Sequence, residues 1–323
     1  MLLIIVMLIV SIGCKNQEKE DSSPNRAYPN KPITVIVSYG PGGATDMGAR
    51  LLLPYVEQEL GVPLHVVNVM GDVGWEGWMK LLNSKPDGYT IAFINTPSLI
   101  TGYLNPQAKR DKRIEDFSLI ANYVMDYGAI AIRPGETRFV NLQEVVEYAR
   151  HNQLTITSTG VGTNNHIAIL KLNKILGTKF VAVHALNTGR LMAGVTSGHI
   201  DVYIGNIGEV TVPHKQGQLK VIAVMEPERS AYLPDVPTVE EELNIKVYNW
   251  AARGLAGPGG MDREKIYILE KAFMKAMENE ELNQKMQERG LALRPLASQE
   301  FYKLLKEDEQ GVMSVIDLFD WKD

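Results

Sequence analysis

Apolar residues in this chain recur as short runs, and amphipathic segments separate them. The run 33–39 (ITVIVSY) is rich in β-branched residues and predicts a strand that is buried on both faces. Similar runs predict strands at 62–69, 89–96, 128–133, 154–159, 180–186, 201–206 and 219–225. Helical spacing predicts intervening helices at 45–60, 74–84, 141–152, 164–176, 188–198 and 208–217. This alternation predicts an α/β fold with mainly parallel sheets that are flanked by helices.

The C-terminal part of the chain changes character and becomes mainly helical. Ile266, Leu269 and Phe273 follow helical spacing, so 262–290 predicts a helix that packs on a core, and 298–310 predicts another. Within the predicted helix 45–60, Pro54 is expected to kink the helix or to end its regular hydrogen bonding early.

The N-terminus carries an apolar run that ends at Cys14, the only cysteine of the chain. The run is too short to cross a bilayer, which takes about 20 apolar residues, but it fits the core of a signal peptide. Its junction with the polar stretch after Cys14 resembles a lipobox. That resemblance implies a signal peptide at 1–13, lipidation of Cys14, a flexible tether over 14–30 and an extracytoplasmic, membrane-anchored protein. The alternative is an ordinary secretory signal with an incidental cysteine, because Ser11 replaces the usual large aliphatic residue and no charged segment precedes the run.

Length and charge limit the function further. The 323 residues suffice for two domains, and the net charge is −5, from 33 basic and 38 acidic residues without any basic run. Nucleic acid is therefore an unsuitable partner, since binding it depends on neutralising phosphates. An acidic chain also gains no long-range attraction for an anion, so any anion site must be built locally.

Two glycine-rich loops follow predicted strands and precede predicted helices. The first is GPGGATD (40–46) and the second is STGVGTNNH (158–166). In open α/β sheets, ligands bind at such strand ends. We expect Gly42, Gly43 and Ala44 to point N–H groups outward, Thr45 or Asp46 to cap the helix, and the helix terminus to favour an anion. Taken alone, each loop is better explained as a simple tight turn, but two facing loops would hold one carboxylate from both sides.

Signatures of catalysis are missing from the sequence. There is no G-x-S-x-G motif, no Walker A or dinucleotide-binding fingerprint, and no histidine pair at zinc-binding spacing. We therefore expect a binding protein without cofactor or metal, not an enzyme. His166 is either a ligand contact or a packing residue, and core packing is the favoured role of Trp75, Trp78 and Trp250.

Several segments in order resemble one family of receptors. They are YPNKPITVIVSYGPGGATDMGAR (28–50), PDGYT (86–90), LNP (104–106), STGVGTNNH, LKVIAV (219–224), LPDVPTVEE (233–241) and GLAGPGG (254–260). From about Tyr28 to Gln310 the chain is similar to the extracytoplasmic solute receptors of the tripartite tricarboxylate transporter family, the Bug receptors.

The resemblance implies a two-lobed fold of the type II periplasmic binding protein kind. The first lobe would comprise 28–124 plus 250–323, and the second would comprise 125–249, with the ligand in the cleft between them. It further implies a monomer that captures a small carboxylate, such as a dicarboxylate or tricarboxylate, and delivers it to a membrane permease. A receptor of the same fold that serves a membrane sensor kinase is the alternative, and a secreted α/β enzyme is a third possibility.

The resemblance also implies ligand-binding positions in both lobes. Together with the loop chemistry, it gives Tyr39, Gly42, Gly43, Ala44, Thr45, Asp46 and Asn95 in the first lobe, and Ser158, Gly162, Thr163, His166 and Asn206 in the second. Three segments depart from the family pattern, namely 185–189 (ALNTG), Gly205 and 71–78 (GDVGWEGW). They leave the identity of the carboxylate open.

Overall fold

The computed structural model describes residues 28–185 and 188–321. The helices are α1 Ala44–Leu60, α2 Trp75–Leu82, α3 Ser98–Leu104, α4 Leu142–His151, α5 Asn164–Leu176, α6 Thr188–Thr196, α7 Ile207–Lys215, α8 Val239–Leu243, α9 Arg263–Ala276, α10 Glu280–Glu288 and α11 Ser298–Met313. The strands are β1 Ile33–Val37, β2 Leu64–Asn68, β3 Thr90–Thr96, β4 Phe117–Ile132, β5 Leu154–Ser158, β6 Phe180–His184, β7 Tyr203–Asn206, β8 Lys220–Val224, β9 Trp250–Pro258 and β10 Leu293–Ala297. The expected signal peptide, Cys14 and most of the expected tether lie outside the described residues.

One long strand, β4, belongs to two sheets. Its first part pairs with β9, from Phe117 opposite Pro258 to Tyr127 opposite Trp250, within the order β10-β4-β9-β3-β1-β2. From Gly128 onward, β4 pairs with β7 and β8 instead. The parallel pair β5–β6 joins β7 through the bridge between Ile156 and Val202. These two sheets and their helices form two lobes, which confirms the predicted two-lobed α/β fold.

The sheets are mixed and not mainly parallel. Strand β1 is parallel to β2 and β3, and β5 is parallel to β6, as the alternation of strands and helices predicts. Strand β4, however, runs antiparallel to β7, β8, β9 and β10, and β9 is also antiparallel to β3. The reason is that β4 carries the chain from the first lobe to the second and β9 carries it back, so neighbouring strands at the crossing run in opposite directions.

Both faces of the first sheet are covered by helices. Helices α1, α9 and α10 enclose a core around Phe93 and Tyr123 on one face. On the other face, α2, α3 and α11 enclose a core that contains Trp75 and Trp78, which are 1% and 0% exposed. Core packing of these two tryptophans is therefore confirmed. The second lobe has its own cores, with Phe139 fully buried in one of them.

The boundaries of some elements differ from the sequence-based expectation. Helix α1 continues through Pro54 to Leu60 and ends at Gly61, whose φ of 69° is left-handed, so an early end at the proline is wrong. The strand expected at 128–133 covers only the last five of the 16 residues of β4, and β9 and β10 were missed. The expected single helix over 262–290 is divided into α9 and α10, because the Asn279 side chain accepts a hydrogen bond from the Leu282 amide and starts a new helix.

Candidate functional site

The first glycine loop closes on itself between β1 and α1. Gly42 has a φ of 79°, and its N–H group donates to Oδ2 of Asp46 at 2.9 Å. The N–H group of Gly43 donates to the carbonyl of Gly40 at 3.3 Å. Gly43 is also the N-cap, so the expectation that Thr45 or Asp46 caps the helix is wrong. The outward N–H groups expected at Gly42 and Gly43 are thus used within the loop.

The amides that remain for a ligand lie in the first turn of α1. Gly43 offers no side-chain cap, and the first N–H groups of a helix have no intrahelical acceptor. They therefore belong to residues 44–46, where Ala44 is exposed and Thr45 and Asp46 are buried. The positive end of the helix dipole adds to their attraction for an anion.

Asp46 shapes this loop. It is 2% exposed, and it accepts hydrogen bonds from Gly42, from Nε of Arg50 at 2.9 Å and from Nδ2 of Asn68 at 2.9 Å. Burial by itself raises the pKa of Asp46, but the hydrogen bonds from Arg50, Gly42 and Asn68 outweigh it and lower that pKa to about 2. Asp46 therefore holds the loop as an ionised carboxylate whose two oxygens are already engaged.

The second glycine loop repeats this geometry between β5 and α5. Gly162 also has a φ of 79°, and its N–H group donates to Nδ1 of His166, four residues on, at 3.2 Å. Thr163 is the N-cap without a side-chain cap, and its N–H group donates to the carbonyl of Gly160 at 3.3 Å. The loops thus differ in sequence but present equivalent first turns, here residues 164–166.

His166 packs against neighbouring rings and also accepts the hydrogen bond that closes the second loop. Its ring lies 5.1 Å from that of His184 and 5.2 Å from that of Phe319. Burial lowers the pKa of His166 to about 4, and the neighbouring His184 contributes in the same direction. At neutral pH the ring is uncharged and its Nδ1 accepts the Gly162 amide, so it brings no positive charge to the site.

The other predicted site residues form local pairs. Nδ2 of Asn95 donates to Oγ1 of Thr45 at 2.7 Å, and Nδ2 of Asn164 donates to Oδ1 of Asn206 at 2.6 Å. Ser158 is fully buried, and its Oγ accepts from the amide of Gly160 at 3.2 Å, which makes it part of the loop framework. Contact with a ligand at these positions stays a prediction.

Two cavities lie along the boundary between the lobes. One of 180 Å³ is bounded by Val73, Ser98 and Thr101 of the first lobe and by Gly162 of the second. Tyr39, at the start of the first loop, donates to the carbonyl of Val73 at 3.3 Å, and burial raises the pKa of this tyrosine to about 12. The second glycine loop therefore faces the first lobe next to the first loop.

The larger cavity, of 620 Å³, lies beside β4 at the point where the strand passes between lobes. Its lining includes Asp126 of β4, Gly208 of α7, Glu226, Gly290 and Arg294. The amide of Gly208 donates to Oδ1 of Asp126 at 3.2 Å, which joins the second lobe to the crossing strand.

Sequence reasoning missed two charged residues at this boundary, Asp126 and Arg253. Asp126 is 4% exposed in β4, and Arg253 is 8% exposed in β9, opposite Asn95 of β3. Burial raises the pKa of Asp126 to about 7, against the lowering effect of the Arg253 charge. A signal was present, because each is a single charge within a run of mostly uncharged residues, ANYVMDYGAIAI (121–132) and AARGLAGP (251–258).

The described ranges contain neither a metal-binding cluster nor a membrane-spanning helix. In residues 28–185 and 188–321, no three His, Cys, Asp or Glu side chains are grouped to hold a metal ion. Across the same ranges, no helix has both the length and the apolar character needed to cross a membrane.

Two lobes joined by β4 and β9, with two uncapped helix N-termini following equivalent loops, define a solute-binding receptor of the periplasmic binding protein type. The family described as "Tripartite tricarboxylate transporter family receptor" matches residues 49–319, and the chain belongs to this family. The family consists of extracytoplasmic receptors and not of enzymes, which confirms the predicted family and the absence of an enzymatic role.

Individual proteins agree with this assignment. A Cupriavidus necator relative, "UPF0065 protein in gbd 5'region", is 28% identical over 78% of this chain and 76% of its own. The crystal structure of a TctC solute-binding protein from Polaromonas has a TM-score of 0.82 at 27% identity, covering 91% of this chain and 100% of that one. MatC from Rhodopseudomonas palustris, solved with bound malate, has the same fold, with a TM-score of 0.74 at 23% identity and coverage of 90% and 100%.

Proposed function

We propose that this receptor captures a small carboxylate, a dicarboxylate, tricarboxylate or related organic acid, between its lobes and delivers it to a membrane permease of the tripartite tricarboxylate type. The observation that carries the proposal is the equivalence of the two loops, each of which ends in an uncapped helix N-terminus. Helix N-termini bind carboxylates through free N–H groups and the helix dipole. Bound malate in MatC supports a carboxylate as the class of ligand.

The number of available donors is adequate for useful affinity. A hydrogen bond to a charged group contributes about 1.5–3 kcal/mol net. Four such bonds supply about 6–12 kcal/mol, and after a cost of about 4 kcal/mol for immobilising the solute and the lobes the upper end leaves about 8 kcal/mol, which corresponds to micromolar binding. The first turns of α1 and α5 provide these donors without any lysine.

The proposed movement is the closing of two lobes, 28–124 plus 250–323 and 125–249. It is supported by the change of partners in β4, whose residues up to Tyr127 pair with β9 and whose residues from Gly128 pair with β7. Strand β4 therefore offers a short hinge at the boundary. In the closed form, the permease would recognise a surface that both lobes contribute.

The proposed location is the extracytoplasmic face of the cell membrane, with the monomer held by a lipid on Cys14 and by a tether over 14–30. The apolar run before this cysteine supports the proposal. Metabolic labelling with palmitate should mark the wild-type protein and not Cys14→Ser, and the variant should appear in the soluble fraction. Equal membrane retention of both proteins would contradict the lipid anchor.

Ligand binding is tested by thermal unfolding of the purified protein with malate, succinate, citrate and the neutral analogue malamide. We expect at least one acid to raise the melting temperature by mass action and malamide to leave it unchanged. A rise with malamide alone, or with none of the acids, would contradict carboxylate capture.

Gly43→Val then tests the first loop. The φ of Gly43 is −70°, and a Cβ there would lie 3.4 Å from the Gly40 carbonyl, so a side chain fits the fold. The added side chain crowds the amides of residues 44–46. We therefore expect the affinity for the carboxylate to fall about 10-fold or more, which corresponds to the loss of one or two hydrogen bonds to a charged group. Gly43→Ala should show a smaller effect. Unchanged affinity in Gly43→Val would exclude the first turn of α1 from the site.

A further inference from the structure

Arg253 is a buried cation with an unsatisfied donor. It is 8% exposed, and its Nη1 has no hydrogen-bond partner among residues 28–185 and 188–321. Two other buried charges of this protein are paired, namely Asp46 with Arg50 at 2.9 Å, and Glu136 with Arg133 at 2.8 Å and Arg138 at 2.7 Å. Because burying an unpaired charge is unfavourable, a cation left in this state indicates that an anion belongs beside it.

The charge of Arg253 acts on groups from both lobes. It lowers the pKa of Tyr39 in the first loop, of Asp126 in β4 and of Glu209 in α7, although burial is the larger effect at all three and raises each pKa. The electrostatic effect of Arg253 therefore extends from Tyr39, next to the first glycine loop, to α7. Arg253 is opposite Asn95 of β3 and Val124 of β4, where β9 leaves the second lobe, and this crossing forms the floor of the proposed cleft.

The neighbourhood of Arg253 contains a second unsatisfied polar atom. Asn95 lies opposite Arg253 in the β3–β9 pairing, and its Oδ1 is buried without a partner in the described part of the chain. Nδ2 of the same Asn95 donates to Thr45 in the first turn of α1. Cross-strand neighbours lie about 5 Å apart at Cβ, so Arg253 is close to this helix N-terminus.

Asp126 and Glu209 are not hydrogen-bonded partners of Arg253 in the described part of the chain. Oδ1 of Asp126 accepts the Gly208 amide, and Oε2 of Glu209 accepts the Asn206 amide at 3.0 Å. Arg253 acts on both carboxylates only through its charge, whereas Glu136, bound by Arg138, has its pKa lowered to about 2. The two carboxylates thus act on Arg253 electrostatically but leave its Nη1 without an acceptor.

We propose that Arg253 is a specificity-determining residue that binds one carboxylate of the solute at the floor of the cleft. The proposal rests on carboxylate capture between the lobes and adds a residue that neutralises a second charge of the solute. A guanidinium matches a carboxylate with two parallel hydrogen bonds, and Asn95 is placed to fix the orientation of the pair. The preferred solute therefore carries a second carboxylate, apart from the one at the N-termini of α1 and α5.

The test compares a dicarboxylate with its own monoamide. The tightest-binding acid among malonate, succinate, glutarate and adipate is found by thermal shift, and its affinity and that of its monoamide are measured by calorimetry. We expect wild-type protein to bind the diacid about 10- to 100-fold more tightly than the monoamide, the range for one charge-assisted contact. In Arg253→Gln the diacid should fall to the level of the monoamide, while the monoamide keeps its affinity.

Two further variants separate a binding role from a structural one. Arg253→Lys keeps the charge without the paired donors, so we expect an intermediate loss for the diacid alone. Arg150→Gln removes an exposed arginine of α4 that pairs with Glu147 at 3.1 Å and lies outside both glycine loops, and it should keep the full preference for the diacid over the monoamide. Without ligand, Arg253→Gln should melt at the wild-type temperature or above it, because an unpaired buried charge has been removed.

The outcomes are distinguishable. If Arg253→Gln still binds the diacid more tightly than the monoamide by the wild-type factor, Arg253 does not bind the solute. A melting temperature several degrees lower in the same variant would then identify Arg253 as a structural counter-ion of Asp126 and Glu209. If Arg253→Gln does not fold, full discrimination in Arg253→Lys overturns the proposal. If no carboxylate stabilises the wild-type protein, carboxylate capture itself is wrong and this assignment is wrong with it.

Discussion

Gly208 and Gly290 touch across the boundary between the lobes. A Cβ atom built on Gly208 would lie 2.1 Å from the carbonyl oxygen of Gly290, so only glycine fits at this point of α7 when the lobes are together. Gly290 follows α10 with a φ of 68° and turns the chain toward β10. At this point the backbones of the two lobes are therefore in direct contact.

The first prediction concerns this contact. Gly208→Ala should hold the lobes apart, because relieving the overlap requires backbone movement, which costs about 1–3 kcal/mol. We expect weaker binding of the tightest acid, about 10-fold or more, and no ligand-dependent decrease in the radius of gyration by small-angle scattering. Gly311→Ala is the matched control, since the added methyl group in α11 meets only the flexible end of Lys171 at 3.3 Å. Wild-type affinity in Gly208→Ala would show that this contact is not part of the bound state.

The second prediction concerns Asp46 as the residue that holds the first loop. Its folded-state pKa of about 2 lies below the ordinary value of 3.8, so its contribution to stability is complete above pH 3.8 and is lost as pH falls through 2. Asp46→Asn should cost about 1–3 kcal/mol at neutral pH, because Gly42 and Arg50 lose a charged acceptor. Urea unfolding between about pH 2 and pH 7 measures both effects.

Asp317→Asn is the control for this substitution. Its side chain is 64% exposed and pairs with Lys174 at 3.1 Å on the surface, so the expected change is within about 0.5 kcal/mol. Equal effects of the two substitutions would mean that Asp46 does not hold the loop.

The third prediction concerns the protonation of His166. Its folded-state pKa of about 4 lies below the ordinary 6.5, so the unfolded chain binds more protons between these values and stability falls as pH falls from 6.5 to 4. His166→Asn, which keeps an acceptor for the Gly162 amide, should lack this decrease. Unfolding at several pH values checks the stability, and an NMR titration checks the ring. An NMR pKa near 6.5 for His166 would contradict the buried, neutral ring.

The fourth prediction concerns the pH dependence of ligand binding. Several charged and polar groups face Asp126, namely Arg253 of β9, Glu209 and the Gly208 amide of α7, and the Asn206 side chain. Tyr232 also faces Asp126, and its pKa is raised by burial and by the charge of Asp126. With a pKa of about 7, Asp126 becomes neutral as pH falls, and it then offsets less of the Arg253 charge. Affinity for a dianionic acid such as malate should therefore rise from about pH 8 to pH 6.

Asp126→Asn provides the reference for this pH series. Because the asparagine is uncharged throughout, its affinity should be flat over the same range and close to the wild-type value at the acidic end. Calorimetry at each pH, corrected for the ionisation of the acid itself, gives the comparison. A wild-type affinity that falls on acidification would contradict this role of Asp126.

Local patterns were sufficient for the strand–loop–helix units of both lobes. Runs of β-branched residues located β1 and β5, and the glycines at 42 and 162 located the turns into α1 and α5. Local rules were less informative about where a helix ends, because packing can override them, as at Pro54 inside α1. Strand β9 was missed because its glycines and its lone arginine do not resemble a buried strand, although β3 and β4 on either side supply its hydrogen bonds.

The sequence by itself determined the family, the two-lobed α/β architecture and the positions of both glycine loops, because short-range patterning and turn chemistry are local properties. Only the tertiary structure decided which amides stay free, since the acceptors of the Gly42 and Gly162 N–H groups are side chains one helical turn away whose orientation depends on packing. It also decided that Asp126 and Arg253, far apart in the chain, lie in the adjacent crossing strands β4 and β9. The burial of these charges at the boundary depends on contacts between the two lobes, and a local sequence pattern does not predict such contacts.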